Sequence, residues 1–247
     1  MVRWTQFIVA LALTLTACWG VRADPSSRVL VSAAASLSDA FTDMERAFEM
    51  DNPGVDVVLN LAGSSSLREQ ILEGAPADVF ASANLAIMDQ VVEAGEAGDA
   101  QIFTRNLLQI AVPSGNPAGV TGLDDFANES LMIGLCVEGV PCGDFARQAL
   151  ARAGVDPVVD TNEPDVRALL TKIEQGELDA GIVYVTDVLS TDAVDGVDIP
   201  GEVNVVAKYP IAVLTNATDP EQADAFVAFV LSDRGRAILS DHGFVVP

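Results

Sequence analysis

Between residues 29 and 81 the hydrophobic period switches repeatedly between strand and helix, and this alternation constrains the fold more than any other feature. Residues 29–31 read as a strand leading into Ser32-Ala-Ala-Ala-Ser36. A helix follows, because Leu37, Ala40, Phe41, Met44, Ala47 and Phe48 recur at helical spacing, and Asn52-Pro53-Gly54 stops it. Residues 55–61 return to a strand. Ser64 opens a second helix through Leu67, Ile71 and Leu72, and 77–81 is a third strand. Strand, helix, strand, helix, strand is the pattern of a parallel sheet covered by helices.

The rest of the chain carries a second such unit. Strands are predicted at 107–112, 131–135 and 180–184, and helices at 144–153 and 164–175. Strands at 203–208 and 210–215 and helices at 219–231 and 233–239 complete it. No internal repeat or low-complexity linker separates the units. The 247 residues suffice for two lobes of roughly 100 residues each. The expected fold is therefore α/β and two-lobed, each lobe a mainly parallel sheet flanked by helices, joined by two crossing strands at about 107–113 and 205–214. Lobe I would hold 28–106 and 211–247, and lobe II 107–210 with the hinge strands. Such hinges suit a ligand trapped between lobes. With aromatic residues at 6%, the core is expected to rest on Ala, Val, Leu and Ile.

Ahead of the fold, Arg3 gives a short positive region and residues 7–16 an apolar run too short to span a bilayer of about 30 Å. The run ends in Leu15-Thr16-Ala17-Cys18, as bacterial lipoprotein signals do. Residues 1–17 read as a signal peptide, Cys18 as the lipidated residue and 18–27 as the tether. An extracytoplasmic protein anchored to the membrane is expected. In that oxidising compartment, Cys136 and Cys142 read as a short-loop disulfide. Two thiols with no neighbouring His do not complete a zinc shell, so no metal ligands are expected.

The formal net charge of −23 leaves no basic stripe for nucleic acid and no long-range attraction for an anion. An anion would have to be held by local dipoles. Small polar residues at helix starts offer them. Ser36 precedes the Leu37 helix, with Asp39 three residues on as in a capping box. Ser64-Ser65-Ser66 precedes Leu67. Each serine alone is an ordinary N-cap, but both follow the C-terminal end of a parallel strand, where α/β sheets place ligands. Helix N-termini there present free N–H groups and partial positive charge. In the second unit, Val140-Pro141-Cys142-Gly143 opens one helix. Glu163-Pro164-Asp165-Val166 opens the next, with Pro164 suited to N1 and the Val166 N–H free. Tyr184 ends a buried strand, from which its hydroxyl can reach a cleft. Catalysis by either serine would need a base. His242 and the lysines, Lys172 and Lys208, lie far along the chain from both, so no enzyme is expected.

Six segments carry a resemblance. They are Ala33-Ala-Ala-Ser36-Leu37, Gly63-Ser64-Ser65-Ser66-Leu67 with Gln70-Ile71, Gly74-Ala-Pro-Ala-Asp78-Val-Phe, Val140-Pro-Cys-Gly143, Asp165-Val166-Arg167-Ala-Leu and Ala180-Gly-Ile-Val-Tyr184. In this order, spanning nearly all the chain after Cys18, they resemble the periplasmic molybdate-binding proteins. The resemblance implies a type II binding-protein fold and a tetrahedral oxyanion, molybdate or tungstate, held without cofactor. It places Ser36 and Ser64 on the ligand through hydroxyl and backbone, Cys142 and Val166 through backbone N–H, and Tyr184 through its hydroxyl. Cys142 departs from the family, whose better-known members carry a small residue such as alanine there. Implied partners are an ABC permease with its ATPase, and the protein itself is expected to be a monomer. Sulfate or another oxyanion, and a tethered sensor, remain as alternatives.

Overall fold

The computed structural model describes residues 27–246. The signal segment and Cys18 lie outside them. The first unit runs β1 (Ser27–Ala34), α1 (Ser38–Asp51), β2 (Val55–Ala62), α2 (Ser64–Leu72), β3 (Val79–Ala81) and α3 (Leu85–Glu93). β1 lies between β2 and β3, parallel to both, as the alternation requires. α1 puts Ala40, Phe41, Met44, Ala47 and Phe48 on its buried face.

The crossing strand β4 (Gln101–Pro113) then enters the second unit. It is followed by β5 (Ile133–Cys136), α4 (Pro141–Ala153), β6 (Thr161–Glu163), α5 (Val166–Glu174), β7 (Ala180–Tyr184), α6 (Val185–Leu189) and β8 (Val194–Asp198). β5 pairs in parallel with β6 and β7. β9 (Val206–Val213) returns, and α7 (Pro220–Leu231) and α8 (Asp233–Asp241) close the chain against the first unit. The sheet order is β2-β1-β3-β9-β4-β7-β5-β6, with β8 also on β4. Up to Leu107, β4 pairs antiparallel with β9, and from Leu108 it pairs with β7 and β8. One strand is thus shared by both halves. This fold is the two-lobed α/β arrangement expected from the sequence.

Several boundaries differ from expectation, each for a local reason. β9 is one strand where two are predicted, because Pro210 sits where the register shifts between Ile102 and Thr104 and a missing N–H costs little. β4 begins at Gln101 instead of 107; its buried polar Thr104 and Asn106 break the apolar pattern of a strand. α4 begins at Pro141 instead of 144, and α5 at Val166 instead of 164. The proline at N1 is therefore Pro141, while Pro164 stays outside its helix behind the Asp165 cap. α3, β6, α6 and β8 have no counterpart in the sequence reading.

The main core is aliphatic, as composition implies, but it is threaded by aromatic rings in edge contact. Phe48 meets Phe226 at 5.3 Å, Phe226 meets Phe41 at 6.2 Å, and Phe41 meets Phe103 at 6.0 Å. Phe103 then meets Tyr209 at 6.4 Å, and Tyr209 meets Tyr184 at 6.1 Å. Each such pair contributes about 0.5–1.5 kcal/mol beyond burial. The series ends at the junction of the two halves. No helix among the described residues is long and apolar enough to cross a membrane.

Candidate functional site

Ser36, Ser64, Cys142, Val166 and Tyr184 come from five separate elements and line one small cavity between the two halves. The cavity is small, about 10 Å³, room for about one water molecule. No Lys, Arg or His lines it, and Asp165 is its one charged residue.

Ser36 lies in a single 3-10 turn, Ala35–Leu37, between β1 and α1. The expected capping box does not form. The turn delays α1 by one residue, so that Leu37 occupies the cap position without a side-chain bond and Asp39 is left to pair elsewhere. The buried Ser36 hydroxyl lies instead 2.9 Å from the Tyr209 hydroxyl. Ser64 is the first residue of α2, after Gly63 at the cap. Its Oγ accepts the Ala83 N–H at 3.0 Å, which leaves its proton available to a ligand.

Cys142 is the second residue of α4 and is bonded to Cys136, so no free thiol faces the cavity. The loop between them is tightly held. Asp144 accepts the Gly139 N–H at 2.7 Å, and Arg147 donates to the Cys136 carbonyl at 2.7 Å. Gly143 fits there because a Cβ would lie 2.0 Å from the Val137 carbonyl oxygen. In α5 the Asp165 carboxylate accepts the N–H groups of Arg167 and Ala168 at 2.9 and 3.0 Å. The cap thereby neutralises two donors and leaves that of Val166 outside its reach. Tyr184 ends β7 with its hydroxyl buried and without a well-formed hydrogen bond. Burial, then the neighbouring Tyr209 and Asp187, push its phenol well above the usual range. It stays protonated, and therefore a donor. An unbonded buried hydroxyl is costly unless something occupies the cavity.

The halves touch around this cavity. The Ser65 hydroxyl donates to the Gly139 carbonyl, and Arg167 pairs with Asp39 across the gap. Arg167 also lies 3.3 Å from the buried carboxylate of Asp187 and donates to Ser190 at 3.0 Å. Burial pushes Asp187 up to about 7, with Arg167 opposing the shift. Gly63 is needed at the seam, since a Cβ there would lie 2.8 Å from the Pro164 carbonyl oxygen. The other reactive groups are engaged elsewhere. His242 sits 2.9 Å from Asp43, and Lys172 donates to Glu163 at 2.6 Å. Among the described residues no group of His, Cys, Asp and Glu is placed to hold a metal ion.

Two neutral helix starts and two hydroxyls in one half face two helix starts and a phenol in the other, with no cation in the cavity lining. This is a site that receives hydrogen-bond acceptors. Residues 29–245 match the bacterial extracellular solute-binding proteins. The chain belongs to that family. This solute-binding protein is 41% identical over 221 residues to the molybdate-binding protein ModA of Mycobacterium tuberculosis, covering 89% of this chain and 85% of the relative. It is 32% identical to ModA of Escherichia coli over 99% of this chain and 98% of that one. Among solved structures, the periplasmic molybdate-binding protein of Azotobacter vinelandii matches with a TM-score of 0.77 at 18% identity, over 89% of this chain and 99% of the other. The sulfate-binding protein SubI of Mycobacterium tuberculosis matches at 0.78 and 19%, over 88% and 86%. At these identities the two structures speak for the fold alone. The solute-binding protein has the type II periplasmic-binding-protein architecture.

Tyr209 was not among the residues expected at the site. A signal existed: the chain has only two tyrosines, and the second, between two predicted strands, could have been asked whether it meets the first.

Proposed function

We propose that this solute-binding protein captures molybdate, and tungstate with it, in the cleft between its lobes and delivers the anion to an ABC permease with its ATPase. The convergence of Ser36, Ser64, Cys142, Val166 and Tyr184 on one cavity without a cationic side chain carries the reading. A fully deprotonated oxyanion offers acceptors on all sides and needs none from the protein. The relatives named as molybdate-binding proteins support that choice of anion.

In this reading Ser36 and Ser64 donate through hydroxyl and backbone, Cys142 and Val166 through N–H, and Tyr184 through its phenol. No cofactor takes part. The lobes divide at 28–106 with 211–247 and at 107–210, and closure about β4 and β9 traps the ligand. The protein works outside the cytoplasm as a monomer tethered through lipid on Cys18. The similarity of SubI in fold keeps sulfate as the second reading.

Calorimetric titration of the soluble chain from Ala23 onward with molybdate, tungstate, sulfate and phosphate tests the proposal. Tight one-to-one binding of the first two, with sulfate much weaker, is expected. Tight sulfate binding would replace the ligand, and silence from all four would remove the oxyanion reading.

A further inference from the structure

We propose that Tyr209 is a positioning residue that holds the Ser36 hydroxyl in place against the bound anion, so that the crossing strands help set the geometry of the site. The inference rests on the oxyanion reading above. Tyr209 lies on β9 opposite Thr104 of β4, fully buried, with its hydroxyl 2.9 Å from Ser36 Oγ. Either oxygen of that pair can be the donor. Nearby on β4, Asn106 accepts the Leu107 N–H through its side-chain oxygen at 3.0 Å and donates to Thr186 Oγ1 at 2.8 Å, which ties the crossing strand to the second half.

Burial raises the Tyr209 phenol strongly, so it keeps its proton. A serine hydroxyl held at 2.9 Å by a fully buried phenol is fixed in place before the anion arrives. Ser64 is fixed by a simpler route, because its oxygen accepts the Ala83 N–H. Without the Tyr209 hydroxyl, Ser36 is free to turn away from the anion.

The test is a double-mutant cycle read by calorimetry with sodium molybdate on the wild type, Tyr209→Phe, Ser36→Ala and the pair. Phenylalanine keeps the ring in its contacts with Tyr184 and Phe103 and removes only the hydroxyl. Tyr209→Phe is expected to weaken molybdate binding about two- to tenfold when Ser36 is present, the equivalent of one hydrogen bond. In the Ser36→Ala background it should change affinity less than about twofold. An equal loss in both backgrounds, or none in either, overturns the inference, because a residue that merely supports the fold would act without regard to Ser36. If Ser36→Ala does not fold in ligand-free thermal melts, Ser36→Cys, a weak donor of similar size, replaces it in the cycle. A wild type that binds no molybdate overturns the oxyanion reading, and this inference with it.

Discussion

The two halves build the cavity from different parts of the polypeptide. In the first, the serine hydroxyls act as side chains, each held by a partner on another strand or loop: Tyr209 for Ser36, the Ala83 N–H for Ser64. In the second, Cys142 and Val166 line the cavity, and the donors proposed for them are main chain. What their sequence supplies is support: the Asp165 cap, the bridge to Cys136, and a glycine where α4 crowds Val137. A hydroxyl can be deleted by substitution, whereas a backbone donor survives nearly every substitution. The first half should therefore be chemically fragile and the second geometrically fragile.

The largest effect expected of this contrast is in the first half. Replacing both Ser36 and Ser64 by Ala should cost about 1–3 kcal/mol for each lost donor, from roughly thirtyfold weaker binding to none measurable. Calorimetry with molybdate measures it, and ligand-free melting controls for the stability lost when the Ala83 N–H is left unpaired. Native affinity in the double variant would remove both serines from the site. In the second half the side chain should be nearly irrelevant. Val166→Ala is expected to bind within about threefold of wild type, since the N–H stays. Val166→Pro removes that N–H at a helix position proline tolerates, after an Asp165 already in extended backbone. It should cost about 1–3 kcal/mol, near the loss from one serine. If alanine does as much damage as proline, the contrast between the halves is wrong.

The seam should give the smallest change. Gly63→Ala puts a methyl group 2.8 Å from the Pro164 carbonyl only when the halves are together. Overpacking relieved by opening should cost about 1 kcal/mol, a few-fold in affinity. The radius of gyration from small-angle scattering with saturating molybdate should rise, while ligand-free melting stays unchanged. A variant as compact as wild type would mean that the seam yields in some other way.

The same contrast explains what could be read in advance. β1, α1, β2 and α2 announce themselves by hydrophobic period, and Ser36 and Ser64 by being polar residues at the ends of strands. The start of β4 hides because Thr104 and Asn106 are buried polar groups whose partners lie far along the chain. β8 hides because Val194-Asp-Gly-Val-Asp198 becomes a strand only by pairing with β4. Tyr209 lies 173 residues from Ser36, so no local pattern joins them. Val166 was located by the start of its helix and by resemblance, not by its side chain, and even there the cap proved to be Asp165, with Pro164 outside the helix instead of at N1. The capping box at Ser36 fits the local pattern and fails in the structure, because a 3-10 turn frees the side chain for the cavity.

Cys142 belongs at once to the ring closed by Cys136 and to the wall of the cavity, and binding equilibria are reciprocal. If the intact bridge strengthens capture of the anion by some factor, the anion must strengthen the bridge against reducing agents by the same factor. We therefore expect molybdate-loaded protein to need more dithiothreitol for half-reduction of this bridge than the empty protein does, read by thiol labelling after quenching. Identical reduction curves would mean that the covalent ring and the ligand ignore each other, although they share a residue.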